Sequence, residues 1–360
     1  MKKILISFGC ITTLILTGCG SSEDTQKNET NTTKHTVVSL NEPYVEQQWY
    51  IRKNTNFYET YEINPDAHIH IGDIQKTYSG KTIKVAVIDN GLDMNHRDLY
   101  KALIASYDSA TKTTNVNHTD FNEYHGTAVT GIIAARNNNI GMLGIAYNVS
   151  LIFLKYKDEM TDSETIELFN KAESFGADII NCSWGTYDVS DAVKDKIVDL
   201  SKHGRNGKGT LIVFASGNDD YNLDDYNDES NIPEVISVGA TDKENLRAYY
   251  SNYGTNLDLV APGGYDLALP TLDVTGAAGE NSGDYIFYDG DFQGTSAAAP
   301  VVSGVLALLL EKNPNLTHDE VISLLKTKSD QIGNVPYDEH RFNPYYGYGK
   351  INVSKLFETN

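Results

Sequence analysis

Between Ile83 and Ile236, short and nearly continuous apolar runs alternate with stretches in which apolar residues recur every three or four positions. The runs are IKVAVID, closing at Asp89, then LIFLKY at 151–156, ADIINCSW at 177–184 and TLIVFAS at 210–216. Runs that stay apolar at successive positions suit strands covered on both faces, and hence a parallel sheet. The intervening periodicity predicts helices over 126–136, 163–175 and 189–203. Strand, helix and parallel strand in succession wind right-handed, so the pattern predicts an α/β fold with a doubly wound, mostly parallel sheet between two helical layers. VISVGAT (235–241) and LDLVAPG (257–263) extend the sheet, and 295–311 is apolar around its circumference, as a central buried helix must be. Thr317 and Glu320 form a T-x-x-E capping box that opens one more helix. The span 264–293 reads as loop plus hairpin. No internal repeat or second core is visible, which makes 41–357 one domain with a short tail at 358–360.

The chain's beginning has a different pattern. Lys2 and Lys3 precede an apolar stretch from Ile4 to Leu16, shorter than the roughly 20 residues a bilayer span needs and suited to a signal-peptide core. Leu16-Thr17-Gly18-Cys19 closes it and resembles a bacterial lipobox, whose cysteine receives diacylglycerol before cleavage leaves it first. Residues 1–18 are therefore expected to be a lipoprotein signal peptide. The protein is expected to be exported and held to the cell membrane by lipid on Cys19, on the cell-surface or periplasmic side. Residues 19–40 are Ser-, Thr-, Asn- and charge-rich, the composition of a flexible tether. Of three cysteines, Cys182 alone remains for the folded part; it lies in an apolar run, reads as a buried thiol, and has no disulfide partner. With 29 Lys+Arg against 49 Asp+Glu, the net charge is -20. Nucleic acid, which selects basic patches, is disfavoured as a partner.

Three motifs place a reactive side chain at the end of an element. Asp89 closes VAVID, His125 opens His125-Gly126-Thr127, and Ser296 lies in Gly294-Thr295-Ser296-Ala297-Ala298-Ala299-Pro300. Singly they are weak, since Asp, Ser and Thr cap helices throughout proteins. Together, in the order Asp, His, Ser, they carry more. VAVIDNGLDMNHRDL (85–99), HGTAVTGIIAA (125–135), Ala215-Ser216-Gly217-Asn218 and GTSAAAPVVSGVLAL (294–308) resemble, in family order, the motifs of the subtilisin-like serine proteases, or subtilases. Tyr346-Gly347-Tyr348-Gly349-Lys350-Ile351-Asn352 resembles the family's closing segment. The resemblance covers about residues 41–357 and implies a subtilisin-like three-layer fold.

It also implies a serine endopeptidase, monomeric, acting on peptides or proteins through an acyl-enzyme. Ser296 would be the nucleophile, His125 the base and Asp89 its orienting partner, with Asn218 and the Ser296 N–H as oxyanion donors. An extended substrate would lie beside Ser183-Trp184-Gly185 and Ala215-Ser216-Gly217 as an added strand. A catalytically inactive binding module is the alternative. A lipase or esterase lacks support, because GTSAA is not a G-x-S-x-G elbow. A dedicated peptide-processing role and a broad degradative one both stay open at this point.

The stretch after the histidine motif, Arg136 to Gly144, resembles the family's structural calcium loop. The resemblance implies Ca2+ held by carbonyls of Arg136, Ile140 and Met142, the Asn138 side chain and Asp98, with Gln47 or Gln48 adding a ligand. No organic cofactor is implied. Ala297 stands where many relatives carry methionine, removing a thioether that peroxide oxidises. With about 21 residues between Cys19 and the catalytic body, a large cleaved pro-domain is not expected. Acids at 219, 220, 224, 225, 228 and 229 follow Asn218 with no base among them. They read either as a pocket for Lys or Arg before the cut or as a solvated acidic loop. His68 and His70 lack an evident third zinc ligand and read as surface residues.

Overall fold

Side-chain alternation along the central strands feeds two large cores, and a small third cluster forms at Leu257, Val260 and Tyr346. Val85 and Val87 enter one, Ala86 and Ile88 the other; Leu151 and Phe153 are likewise separated from Ile152 and Leu154. This computed structural model describes residues 39–120, 123–276, 278–281 and 283–358. The expected signal peptide, Cys19 and the tether up to residue 38 lie outside the described residues.

The sheet contains β1 (Lys84–Asp89), β2 (Leu103–Asp108), β3 (Ser150–Lys155), β4 (Ile179–Cys182), β5 (Leu211–Ala215), β6 (Ile236–Thr241) and β7 (Leu259–Pro262). Its order is β2-β3-β1-β4-β5-β6-β7 and every pairing is parallel. A separate antiparallel pair, β8 (Thr271–Leu272) and β9 (Tyr285–Ile286), supplies the hairpin expected within 264–293. The helices are α1 (Thr55–Thr60), α2 (His125–Ala134), α3 (Asp162–Ser174), α4 (Asp191–Gly207), α5 (Thr295–Lys312), α6 (His318–Lys328) and α7 (Val353–Leu356). Residues of α2 and α5 fill one core, and residues of α3 and α4 the other. The three-layer, doubly wound arrangement follows. Helix α5 is apolar enough to cross a membrane by composition, but here it is the buried central helix of the larger core.

Local chemistry sets the boundaries. Thr161 and Thr317 make full capping boxes with Glu164 and Glu320, and Ser190 caps α4. Regular geometry in α4 ends at Gly204, beyond which Arg205 and Asn206 take positive φ. The sequence pattern did not reveal β2. Its first half is only partly buried and its register shifts between Leu103 and Ala105, so it lacks an apolar run.

After β1 the chain builds β2 and β3 on one side, then crosses to build β4 through β7 on the other. Open α/β sheets place their working crevice where the order reverses, outside the carboxyl ends of the strands. Asp89 ends β1 there, Ser183–Gly185 leave β4, and Gly217–Asn218 follow β5. The N-terminal segment is part of the same body. Trp49, Tyr50 and Ile51 are fully buried, Trp49 Nε1 donates to the Ala268 carbonyl, and Asn137 Nδ2 donates to the carbonyl of Ser39.

Candidate active site

Asp89 sits at the dry end of β1, fully buried. Its Oδ1 accepts the Asn90 N–H at 2.8 Å and lies 2.8 Å from Nδ1 of His125, while Oδ2 is buried without a partner. Helix α2 can start this close to β1 only because residue 126 is glycine. A Cβ there would lie 2.3 Å from the Gly91 carbonyl oxygen and 2.7 Å from Phe153. The His125 ring also packs edge-on to Phe292, with centroids 5.7 Å apart. Burial disfavours the imidazolium, but the Asp89 charge and its hydrogen bond outweigh burial and raise the His125 pKa above its ordinary value. The site therefore holds a largely buried imidazole, its side chain 26% exposed, against a fully buried carboxylate, with Nε2 left for chemistry.

Ser296 occupies the first turn of α5. Gly294 precedes the helix at φ +118°, a conformation few other residues adopt. Pro300 matters four residues on. Lacking an N–H, it leaves the Ser296 carbonyl without its helical donor, and the Ser183 hydroxyl fills that role at 2.9 Å. The Ser296 hydroxyl in turn donates to the Ser183 carbonyl at 3.1 Å. This reciprocal pair ties the end of β4 to the start of α5. In this rotamer the structure joins Asp89 to His125 but leaves the Ser296 hydroxyl turned to Ser183 and not to the imidazole. Hydrogen bonds of this kind tighten only when substrate is present in many enzymes.

Asn218 is held by its oxygen. Its Oδ1 accepts the Thr295 N–H at 2.8 Å and the Thr295 hydroxyl at 2.9 Å, and that hydroxyl accepts the Gly217 N–H at 3.1 Å. Fixing Oδ1 on Thr295 leaves Nδ2 as the available donor at the start of α5. Thr295 was not singled out from the sequence. Its position immediately before Ser296 was the available signal, but its partner is distant in the chain.

A cavity of about 310 Å³ opens beside Ser296. It is lined by all six residues expected to meet substrate, Ser183, Trp184, Gly185, Ala215, Ser216 and Gly217, together with Asn218, Tyr187, Asp219 and Asp228. Trp184 forms part of its wall, anchored by Nε1 to the Ile88 carbonyl (2.9 Å) and packed on Phe214. The acidic run is divided by its tertiary partners. Asp220 pairs with Arg247 at 2.8 Å, Asp224 accepts the N–H and hydroxyl of Thr255, and Glu229 binds the N–H and hydroxyl of Thr186. Asp219 and Asp228 reach the cavity. Asp228 is 4% exposed, with Oδ1 taken by Ser230 and Oδ2 accepting the Tyr187 N–H at 3.0 Å. A Cβ on Gly185 would lie 2.5 Å from Asp228 Oδ2, so the missing side chain leaves this carboxylate in the cavity wall.

The loop after α2 also gathers oxygens. Asp98 is fully buried; Oδ2 accepts the Met142 N–H at 2.9 Å, and Oδ1 has no partner. Burial, with the nearby Glu42 charge, pushes its carboxyl up to about 7. Asn138 Oδ1 accepts the Ile140 N–H at 3.1 Å. Of the two glutamines left open by the sequence, Gln47 presents a buried, unpartnered Oε1, whereas both polar ends of Gln48 bind Leu143. Asp98 Oδ1 and Gln47 Oε1 are thus buried oxygens without a partner, and with the Asn138 side chain and the carbonyls of Arg136, Ile140 and Met142 they make up an all-oxygen donor set, the chemistry a hard cation such as calcium takes.

His68 and His70 are half-buried, a correction to their reading as surface residues, and their rings meet at a tilt of 48° with centroids 4.3 Å apart. Burial first, then neighbouring positive charge, lowers His68 to about 3. Among the described residues no group of three or more His, Cys, Asp or Glu side chains could hold a metal. Cys182 is buried, which pushes its thiol pKa up.

The sequence profile of the subtilase family matches residues 80–349. A calcium-dependent protease of Trichormus variabilis is 33% identical over 86% of this chain and 51% of its own length. A dibasic-processing endoprotease of Yarrowia lipolytica is 30% identical over 89% of this chain and 34% of its own. The chain thus spans about half the length of the first of these relatives and a third of the second. Among solved structures, a protease of Pseudoalteromonas arctica superposes with a TM-score of 0.72 at 27% identity, covering 89% of this chain and 98% of that one.

Proposed function

Since the chain belongs to the subtilase family, we propose that it is a serine endopeptidase working through Ser296, His125 and Asp89. The observation that carries this is the buried Asp89 carboxylate 2.8 Å from His125 Nδ1, in the same crevice as a serine at the first turn of α5. The Ser296 hydroxyl attacks the scissile carbonyl while Nε2 of His125 takes its proton. The tetrahedral oxyanion receives Nδ2 of Asn218 and the Ser296 N–H, at a helix end whose dipole favours negative charge. The imidazolium then protonates the leaving amine, and water releases the acyl group by the same steps. Profiling a diverse peptide library with the full chain tests this. Internal cleavage is expected, and none with any peptide removes the proposal.

The Asp228 carboxylate supports a preference for Lys or Arg before the scissile bond, and a relative bears the name dibasic-processing endoprotease. A charge-assisted hydrogen bond is worth about 1.5–3 kcal/mol. Asp228→Asn should therefore lower kcat/KM for such substrates about 10- to 100-fold and leave cleavage after Phe or Leu nearly unchanged. The asparagine keeps an acceptor for Ser230. Wild type cutting equally well after Phe and Lys would remove the basic pocket.

Calcium is proposed as a structural ion held by Asp98, Asn138, Gln47 and the carbonyls of Arg136, Ile140 and Met142. Bound there it neutralises a buried carboxylate and ties the loop to the N-terminal segment. Ligand linkage makes calcium at a hundred times its Kd worth about 2.7 kcal/mol, so chelation should lower Tm by several degrees. Identical melting curves with and without chelator would refute the site.

Export and lipid anchoring at Cys19 are supported by Lys2, Lys3, the apolar stretch and the Leu16-Thr17-Gly18-Cys19 sequence. The N-terminal peptide of protein from a bacterial membrane fraction should begin at Cys19 with diacylglycerol mass. An unmodified N-terminus there would remove the anchor.

A further inference from the structure

Resting on the calcium reading above, we propose that Glu42 and Gln48 are positioning residues of the calcium loop, aiming the carbonyl oxygens of Ile140 and Met142 into the metal site. In a trans peptide, the C=O of one residue and the N–H of the next point in opposite directions across one rigid plane. Whatever holds an N–H therefore decides where the preceding carbonyl points.

Glu42 is 3% exposed, and its carboxylate gathers three successive N–H groups. Oε1 accepts from Asn139 at 2.8 Å, while Oε2 accepts from Ile140 at 2.9 Å and Gly141 at 3.4 Å. Turning the Gly141 N–H toward Glu42 turns the Ile140 carbonyl away from it. Gln48 acts on the next ligand in the same way. It is fully buried, and its Oε1 accepts the Leu143 N–H at 2.9 Å, which fixes the direction of the Met142 carbonyl. The plane between these two is set the other way. Asp98 Oδ2 accepts the Met142 N–H, and the Gly141 carbonyl accepts from the Tyr44 N–H at 3.1 Å.

The alternation of Ile140, Gly141 and Met142 carbonyls is thus accounted for plane by plane, and the segment Glu42–Gln48 supplies three of the four groups responsible. Gln47, with its unpartnered Oε1, lies between the two positioning residues. Glu42 also adds a negative charge that attracts a cation without ligating it.

The test uses the full chain carrying Ser296→Ala, which prevents self-digestion once calcium is stripped. Calorimetric titration with calcium and melting in calcium or chelator are compared for this parent and for Glu42→Ala, Glu42→Gln and Gln48→Met added to it. Loss of a group that orients metal ligands costs about 10- to 100-fold in affinity. Glu42→Ala and Gln48→Met should each weaken calcium binding by that factor and lower Tm more in calcium than in chelator. Glu42→Gln, which keeps one acceptor oxygen, should fall between parent and Glu42→Ala. Calcium affinity within twofold of the parent in all three overturns the proposal, as does an equal fall in Tm under both conditions, the mark of a plain structural strap. If Glu42→Ala does not fold, Glu42→Gln decides by the same two readings. A parent that takes up no calcium shows instead that the calcium reading itself has failed.

Discussion

Replacing Ser296 with alanine is expected to lower kcat on peptide substrates by about 10⁶ while the protein folds as before. The size is that of the nucleophile deletion in subtilisin, a member of the same family, where about 10³–10⁴ over water survives through the oxyanion hole and binding. The local structure predicts the intact fold. The Ser296 hydroxyl makes one hydrogen bond, to the Ser183 carbonyl, whereas the helix start is secured by bonds that alanine keeps. These are the Ser183 hydroxyl on the Ser296 carbonyl and Asn218 on Thr295. Alanine is also a strong helix former, so stability should stay within about 0.5 kcal/mol. Hydrolysis by both proteins under single-turnover conditions, with Tm measured in parallel, gives the comparison. Undiminished turnover in the variant would assign the chemistry elsewhere. A wild type that binds peptides without cutting them would favour the binding-module alternative.

The strands legible in the sequence were those buried on both faces, because burial of both faces removes polar positions and leaves an unbroken run. Strand β2 escaped for the opposite reason: Ile104 is 53% exposed. The positions of Asp89, His125 and Ser296 were legible because each sits where an element starts or ends, and such ends carry a local signature. Their surroundings were less so. Thr295 earns its place by contact with Asn218, 77 residues away, and no local pattern announces that pairing. The acidic run after Asn218 shows the same limit more sharply. As sequence it is one block of charge. In the fold, Arg247, Thr255 and Thr186 draw Asp220, Asp224 and Glu229 aside, and only then do Asp219 and Asp228 stand out as cavity residues. Similarly, Gln47 and Gln48 are neighbours of identical chemistry, and only the direction of each side chain separates a free oxygen from one spent on Leu143.

Asp89→Asn is expected to lower kcat by about 10⁴, the scale of the equivalent loss in subtilisin, and also to move the pH dependence in a defined direction. His125 must be neutral to take the Ser296 proton. In the wild type, burial favours the neutral ring, but the Asp89 charge and hydrogen bond favour the imidazolium more strongly, so the pKa is raised. Protonated, idle enzyme therefore persists to higher pH than for a free imidazole, and kcat/KM falls as pH drops through that raised value. Asparagine removes the charge and leaves burial, so the acid limb should move to lower pH even as the plateau falls. The plateau falls because the asparagine amide can donate to Nδ1, placing the proton on Nε2, where the base must be free. Stability follows the same sign. A raised folded pKa makes His125 protonation stabilising below the unfolded value, and that gain is lost as pH rises through the folded one. The wild type should thus lose this contribution on going from acid to alkaline pH, and Asp89→Asn should lack it. Rate profiles and melting curves for both proteins across this range check the two effects independently. An acid limb that stays in place would mean that the carboxylate orients the ring without setting its basicity.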